Sequence, residues 1–177
     1  MLALLSATLL LAVVTAARAR AGDTPSGLDE QMADYVLNFT KFVEWPEGSH
    51  PQELVICVAG NPGLYAALRE AVATPAGAGP HHLSVRTVKD ARSAAGCHLL
   101  YIETASHLQV AQLGTSAPML TVSDGSGFTH AGGDIELFTQ QNRLRFIVNL
   151  ENARHAGLHI SSSLLQLAAA VEGGETK

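Results

Sequence analysis

The sequence predicts a single compact α/β domain, built on an open, mostly parallel sheet with an antiparallel portion and helices on both faces. Three observations predict it. Residues 53–59 (ELVICVA), 97–103 (CHLLYIE) and 118–123 (PMLTVS) are near-continuous apolar runs, the mark of strands buried on both faces. Stretches with helical apolar spacing lie before and between them, so strands and helices alternate. Late in the chain, residues 134–138 and 144–148 read as two strands joined near Gln141 and Asn142, which supplies the antiparallel part.

Taken in order, Leu28, Met32, Val36, Phe39 and Val43 form a helical stripe, with Tyr35 and Phe42 alongside; Pro46 ends that helix just after Trp45. The strand at 53–59 runs into Gly60-Asn61-Pro62-Gly63, where Asn61 caps and Pro62 opens a helix over about 64–73. Residues 74–80 are small and rich in Pro and Gly, hence a surface loop. A weaker strand follows at 82–88, then the strand at 97–103, a helix over about 105–113, and the strand at 118–123, closed by Asp124-Gly125-Ser126-Gly127. In the last hairpin strand, Arg143, Arg145 and Ile147 fall on one side and Leu144, Phe146 and Val148 on the other. Asn149 caps a short helix carrying Leu150 and Ala153, which Gly157 stops. Ser161, Ser162 and Ser163 then offer cap oxygens to a docking helix with Leu164, Leu165, Leu167 and Ala168. No repeat and no long linker is visible, so residues 28–171 read as one domain.

Composition narrows the function. At 177 residues, 47% hydrophobic and 15% charged, the chain is large enough for a real core. Leu2 to Val14 is almost unbroken apolar sequence, and Ala19-Arg20-Ala21 has the small-x-small form of a cleavage site, so residues 1–21 read as a signal peptide. Removing it leaves 9 basic against 16 acidic residues, a net charge of about −7. An acidic exported domain with scattered Arg and Lys is a poor binder of nucleic acid, and cleavage leaves no membrane insertion. The expected location is therefore outside the cytoplasm. Cys57 and Cys97 lie within core-like strands, and an even pair outside the cytoplasm reads as a disulfide; two inert buried thiols are the other reading. Closing a loop of about 40 residues contributes roughly 4 kcal/mol on the chain-entropy account.

Several patterns invite a chemical reading. Gly60-Asn61-Pro62-Gly63 follows a strand and opens a helix as a phosphate loop does, yet it lacks the three-glycine spacing and a later acid, so a capped turn is preferred. Gly132-Gly133-Asp134-Ile135-Glu136 is similar to the signature of diguanylate cyclases, but the residues after it do not fit, and paired glycines most simply serve a bend. The 8 histidines share no ligand spacing; His155 and His159 are four apart with a helix-stopping Gly157 between them. The three serines lack a nucleophile-elbow context, so capping is preferred. No catalytic residue, metal site or cofactor is assigned. Trp45 before Pro46 is either a core lid or a binding anchor; with His159 and Ser161 it would line a small polar-rimmed pocket if the docking helix packs at that corner.

The segment YVLNFTKFVEWP at 35–46, then LVICV at 54–58, CHLLYI at 97–102, LTVSD at 120–124, Gly132-Gly133, RFIVNL at 145–150 and GLHISSSLLQLA at 157–168 together resemble the YfiR-like periplasmic proteins, in order, over nearly all of the chain after the leader. The resemblance implies a compact α/β repressor that binds the periplasmic domain of an inner-membrane diguanylate cyclase and keeps cyclic-di-GMP production low. It also implies relief through an outer-membrane lipoprotein, a tendency to form a homodimer, and a bridge between Cys57 and Cys97. Some members carry a second cysteine pair around the paired glycines; here Phe128 and Ile135 stand in that region, so apolar packing is expected to hold the turn, and Asp134 replaces the usual apolar residue. The rival readings are a periplasmic small-molecule sensor module and, further off, an enzyme with a dispersed site.

Overall fold

A computed structural model describes residues 26–46, 53–74, 82–113 and 118–174; the leader read at 1–21 and nearly all of the loop read at 74–80 fall outside the described residues. Helix α1 (Gly27–Phe42) begins at a capping box, in which the Ser26 hydroxyl accepts from Asp29 N and the Asp29 carboxylate accepts from Ser26 N. It gives way to the two-residue strand β1 (Val43–Glu44). Then come β2 (Glu53–Ala59), α2 (Pro62–Val72), β3 (His82–Val88), β4 (Leu99–Ile102), a 3-10 turn (Val110–Gln112), β5 (Leu120–Ser123), β6 (Ile135–Gln140) and β7 (Arg143–Asn149). The chain ends with α3 (Leu150–His155), β8 (His159–Ile160), α4 (Ser162–Leu167) and β9 (Ala170–Glu172).

Seven strands form one sheet in the order β3-β2-β4-β5-β6-β7-β9. The pairings from β3 through β6 are parallel, β6 and β7 are antiparallel, and β9 lies parallel to β7. The α/β class and the mostly parallel sheet with an antiparallel portion are as the sequence predicts. Gln141 and Asn142 both adopt positive φ (49° and 61°), the conformation that lets a two-residue hairpin turn follow the strand twist. A second, two-stranded sheet pairs β1 with β8.

Alternation along the strands separates two cores. Leu54, Ile56 and Val58 of β2, Leu99 and Tyr101 of β4, Leu137 of β6 and Phe146 of β7 face one way, against buried residues of all four α-helices. Tyr35 and Phe39 of α1 meet the Phe146 ring edge to face at 5.9 and 5.3 Å, and the Tyr35 hydroxyl donates to Leu144 O at 2.8 Å. Cys57, Ala59, Leu100 and Ile102 face the other way, under Ala94, Leu108 and Phe128 from the connections between strands.

That second face carries turns and a 3-10 turn where the sequence predicts an α-helix over 105–113. The Ser106 hydroxyl accepts from Leu108 N, and Gln109 and Gln112 close on each other, so side chains take backbone partners a helix would need. The docking helix is also shorter and barer than its sequence suggests: Leu164 is buried, whereas Leu167 is 65% exposed. The β1–β8 ladder and β9 have too few residues to show as periodicity and emerge only in the structure.

Candidate functional site

At the carboxyl ends of the parallel strands, Glu103 follows β4 and turns back onto β2. Its N–H donates to Ala59 O at 2.9 Å, and its Oε2 accepts from Asn61 N at 2.9 Å. The Asn61 side chain accepts from Leu64 N at 2.8 Å and so caps α2. Gly60 sits at φ +89°, and a Cβ there would run into Glu103. The glycine-rich turn is thus a capped turn whose helix N-terminus already holds a carboxylate, as expected from its spacing. Next to it, Asp124 Oδ1 accepts from the Thr104 backbone and hydroxyl at 3.1 and 3.0 Å. Among the described residues the buried Tyr101 hydroxyl finds no hydrogen-bond partner; burial pushes its pKa up, and neighbouring Asp124 adds to the rise.

The two cysteines meet. Cys57 and Cys97 form a disulfide with Cα atoms 5.9 Å apart, linking β2 to the turn that enters β4. Both are buried in the second core. The Arg86 guanidinium of β3 lies over the bridge, donating to Ala95 O at 2.7 Å and to Cys97 Sγ at 3.4 Å.

Trp45, His159 and Ser161 are drawn to one corner by the β1–β8 ladder, in which Val43 pairs with Ile160 and Glu44 with His159. Trp45 itself is only 5% exposed, and its indole N–H donates to His98 O at 3.3 Å. The Ser161 hydroxyl caps α4 through Leu164 N, and His159 is exposed. His98 is structural: its Nδ1 accepts from Val55 N at 3.0 Å. Burial lowers its pKa, against a smaller opposing pull from Glu53.

The paired glycines have a steric cause. Gly132 takes φ +96°, and the Phe128 ring fills the space a Gly133 Cβ would need. Asp134 is buried; its Oδ2 accepts from Thr121 N at 2.8 Å and from the Thr121 hydroxyl at 2.7 Å. Burial raises its pKa to about 6, partly offset by those two hydrogen bonds. Apolar packing by Phe128 and a buried carboxylate together hold this turn.

The face of β6 and β7 turned away from the helices carries Phe138, Arg143, Arg145 and Ile147, with Phe138 opposite Arg145 and Ile147 opposite Glu136. Phe138 and Ile147 are half-buried and both arginines exposed, and neither apolar residue belongs to either core. The alternation of 143–148 signals this two-sided strand; how much of its outer face stays exposed depends on what crosses above it and is not readable locally.

Comparison with known proteins places this fold. The model of the DUF4154 family, described as YfiR/HmsC-like, matches residues 29–169. The chain belongs to this family. Membership implies a periplasmic regulator of diguanylate cyclase signalling, and members are regulators rather than enzymes. No curated protein matches the chain. Among solved structures, a conserved domain protein from Vibrio cholerae O1 biovar El Tor strain N16961 is similar at 11% identity with a TM-score of 0.49. The likeness covers 81% of this chain and 60% of that one.

Proposed function

We propose that this YfiR/HmsC-like chain is exported through a cleavable leader and acts in the periplasm as a negative regulator. It binds the periplasmic domain of an inner-membrane diguanylate cyclase and lowers cyclic-di-GMP production. The observation that carries the reading, beside the family match, is the partly exposed β6–β7 face, where half-buried Phe138 and Ile147 alternate with exposed Arg143 and Arg145. Apolar area rimmed by arginine is the composition of protein-binding surfaces. A regulator of this kind works by preferring one state of its partner, here the inactive one. A homodimer, and release through an outer-membrane lipoprotein that sequesters the repressor, belong to the same proposal. The disulfide suits an oxidising compartment.

The test is a deletion strain scored for cyclic-di-GMP. Loss of the protein raises the nucleotide, wild type restores the low level, and Arg145→Glu with Phe138→Ser does not, while remaining folded and disulfide-bonded. An unchanged cyclic-di-GMP level in the deletion strain overturns the reading.

The alternative, a periplasmic small-molecule sensor, places its ligand at the Trp45, His159 and Ser161 corner. The β1–β8 ladder favours it by bringing these segments together, and His159 is the accessible member. His159→Ala abolishing ligand-induced thermal stabilisation without changing cyclase binding would support it.

A further inference from the structure

The β6–β7 hairpin runs on past both of its neighbours. The β5 ladder stops at Ser123 opposite Glu136, and the β9 ladder begins only at Ile147 opposite Ala170. Residues 137–140 and 143–146 therefore form a two-stranded ribbon with no third strand beside it among the described residues. The inner side of the ribbon is held. Leu137, Leu144 and Phe146 are buried in the core shared with α1, and the Tyr35 hydroxyl fastens that helix to Leu144 O. The outer side carries Phe138, Gln140, Arg143 and Arg145, and the same side of β7 continues to Ile147.

The charges on the ribbon are of one sign and unanswered. Arg143 and Arg145 are exposed, and among the described residues neither makes a hydrogen bond or an ion pair. The acid nearest in register, Glu136, sits opposite Ile147 rather than opposite an arginine; it is buried and forms no ion pair. Two free guanidinium groups stand out against a chain whose net charge is −5. A polyanionic surface such as a nucleic acid or an anionic bilayer would be held by these two cations alone and repelled by the rest of the chain. A protein segment with a few carboxylates meets no such penalty. Arginine also suits carboxylates, because its planar fork can donate two parallel N–H bonds to one of them. Alternate residues of a strand lie about 7 Å apart on the same side, so two acids at alternate positions of an extended segment repeat the spacing of Arg143 and Arg145. The next residue on that side falls over Ile147.

We infer that the β6–β7 face receives an acidic, extended segment of its protein partner, with carboxylates at two alternate positions on Arg143 and Arg145 and an apolar residue at the next alternate position against Phe138 and Ile147. This rests on the regulator reading and adds the chemistry of the partner to it. The arginines select the charge of the segment, and the apolar pair supplies area that does not depend on charge.

The experiment titrates the purified, oxidised, nitrogen-15-labelled protein with three end-blocked peptides, followed by amide chemical shifts. They are Leu-Thr-Glu-Thr-Glu-Thr-Leu, its isomer Leu-Thr-Thr-Glu-Glu-Thr-Leu, whose acids point to opposite sides, and Leu-Thr-Lys-Thr-Lys-Thr-Leu. The first is expected to bind with a Kd of about 1 mM, shifting amides around Phe138 and Arg145. The isomer should bind about threefold more weakly and the lysine peptide at least about fivefold more weakly. Replacing Arg143 and Arg145 together by Gln should erase both preferences; far-UV circular dichroism checks the fold. Equal binding of the acidic and basic peptides to wild type overturns the inference whatever the variant does. So does an undiminished preference in the folded variant, or no saturable binding below about 10 mM. A wild-type dimer that Arg145→Glu splits into monomers assigns the face to a second copy of the chain and also overturns it. If the deletion strain accumulates cyclic-di-GMP while the peptides bind alike, the inference fails and the regulator reading stands. A clear acidic preference with an unchanged nucleotide level does the reverse.

Discussion

The two ends of the second sheet face have opposite fates. Over β2 and β4 that face is covered by Ala94, Leu108 and Phe128 and stapled by Cys57–Cys97; over β6 and β7 Glu136 is buried, but Phe138 and Ile147 are only half-buried and the arginines beside them exposed. The strands themselves do not explain this, since β7 alternates as regularly as any strand in the chain. Connectivity does. Parallel neighbours need a crossover, and every crossover lays chain over one face; an antiparallel pair needs only two turn residues and covers nothing. Gln141 and Asn142 close the β6–β7 hairpin, which brings no crossover segment over Phe138 and Ile147 and leaves them half-buried. The proposed docking face is the place where the sheet changes direction.

The sharpest way to break this comparison is to truncate one aromatic on each face of the hairpin. Phe146→Ala, which removes the partner of Tyr35 and Phe39, should destabilise the fold by about 3–5 kcal/mol in denaturant titration. Phe138→Ala should cost no more than about 1–2 kcal/mol; equal losses would show that the β6–β7 face is packed after all. At the covered end, replacing Cys57 and Cys97 by Ala should cost roughly 4 kcal/mol for a separation of 40 residues, read from the denaturation midpoint. Full partner binding and stability in that double variant would remove the staple from the account.

Two titrations sharpen the picture further. Asp134 has its folded pKa raised from 3.8 to about 6, so its contribution is fully present below about pH 3.8 and is lost as pH rises through about 6. The loss is about 3 kcal/mol. Asp134→Asn should flatten this part of the stability profile and leave the protein at least as stable at neutral pH, the amide oxygen still accepting from Thr121. His98 runs the other way and more weakly. Its folded pKa is depressed, so its contribution is present above the ordinary value of 6.5 and is lost as pH falls below it. His98→Ala should remove that loss on acidification in the same titration.

Much of the fold was legible because long buried strands announce themselves. Residues 53–59 and 82–88 read as strands with the bounds the structure gives, and Asn61, Asn149 and Ser161 were identifiable as caps from their positions. What failed was short or decided at a distance. A helix over 105–113 lost to the Ser106 side chain, and β1, β8 and β9 gain their conformation from partners far along the chain. The site followed the same rule. The cysteine pair could be named from compartment and strand context. The role of His98 could not, because its bond to Val55 spans 43 residues and leaves no local pattern.

Glu103 has a last implication. In sheets with this strand order, the opening helix commonly greets the anionic group of a visiting nucleotide. Here one of the chain's own acids accepts from the cap residue Asn61 at that helix end, and Gly60 is kept small so that it fits. An incoming phosphate at this corner would meet a fixed negative charge in place of an open helix end, so the turn most similar to a nucleotide loop is closed to that use by the chain's own acid.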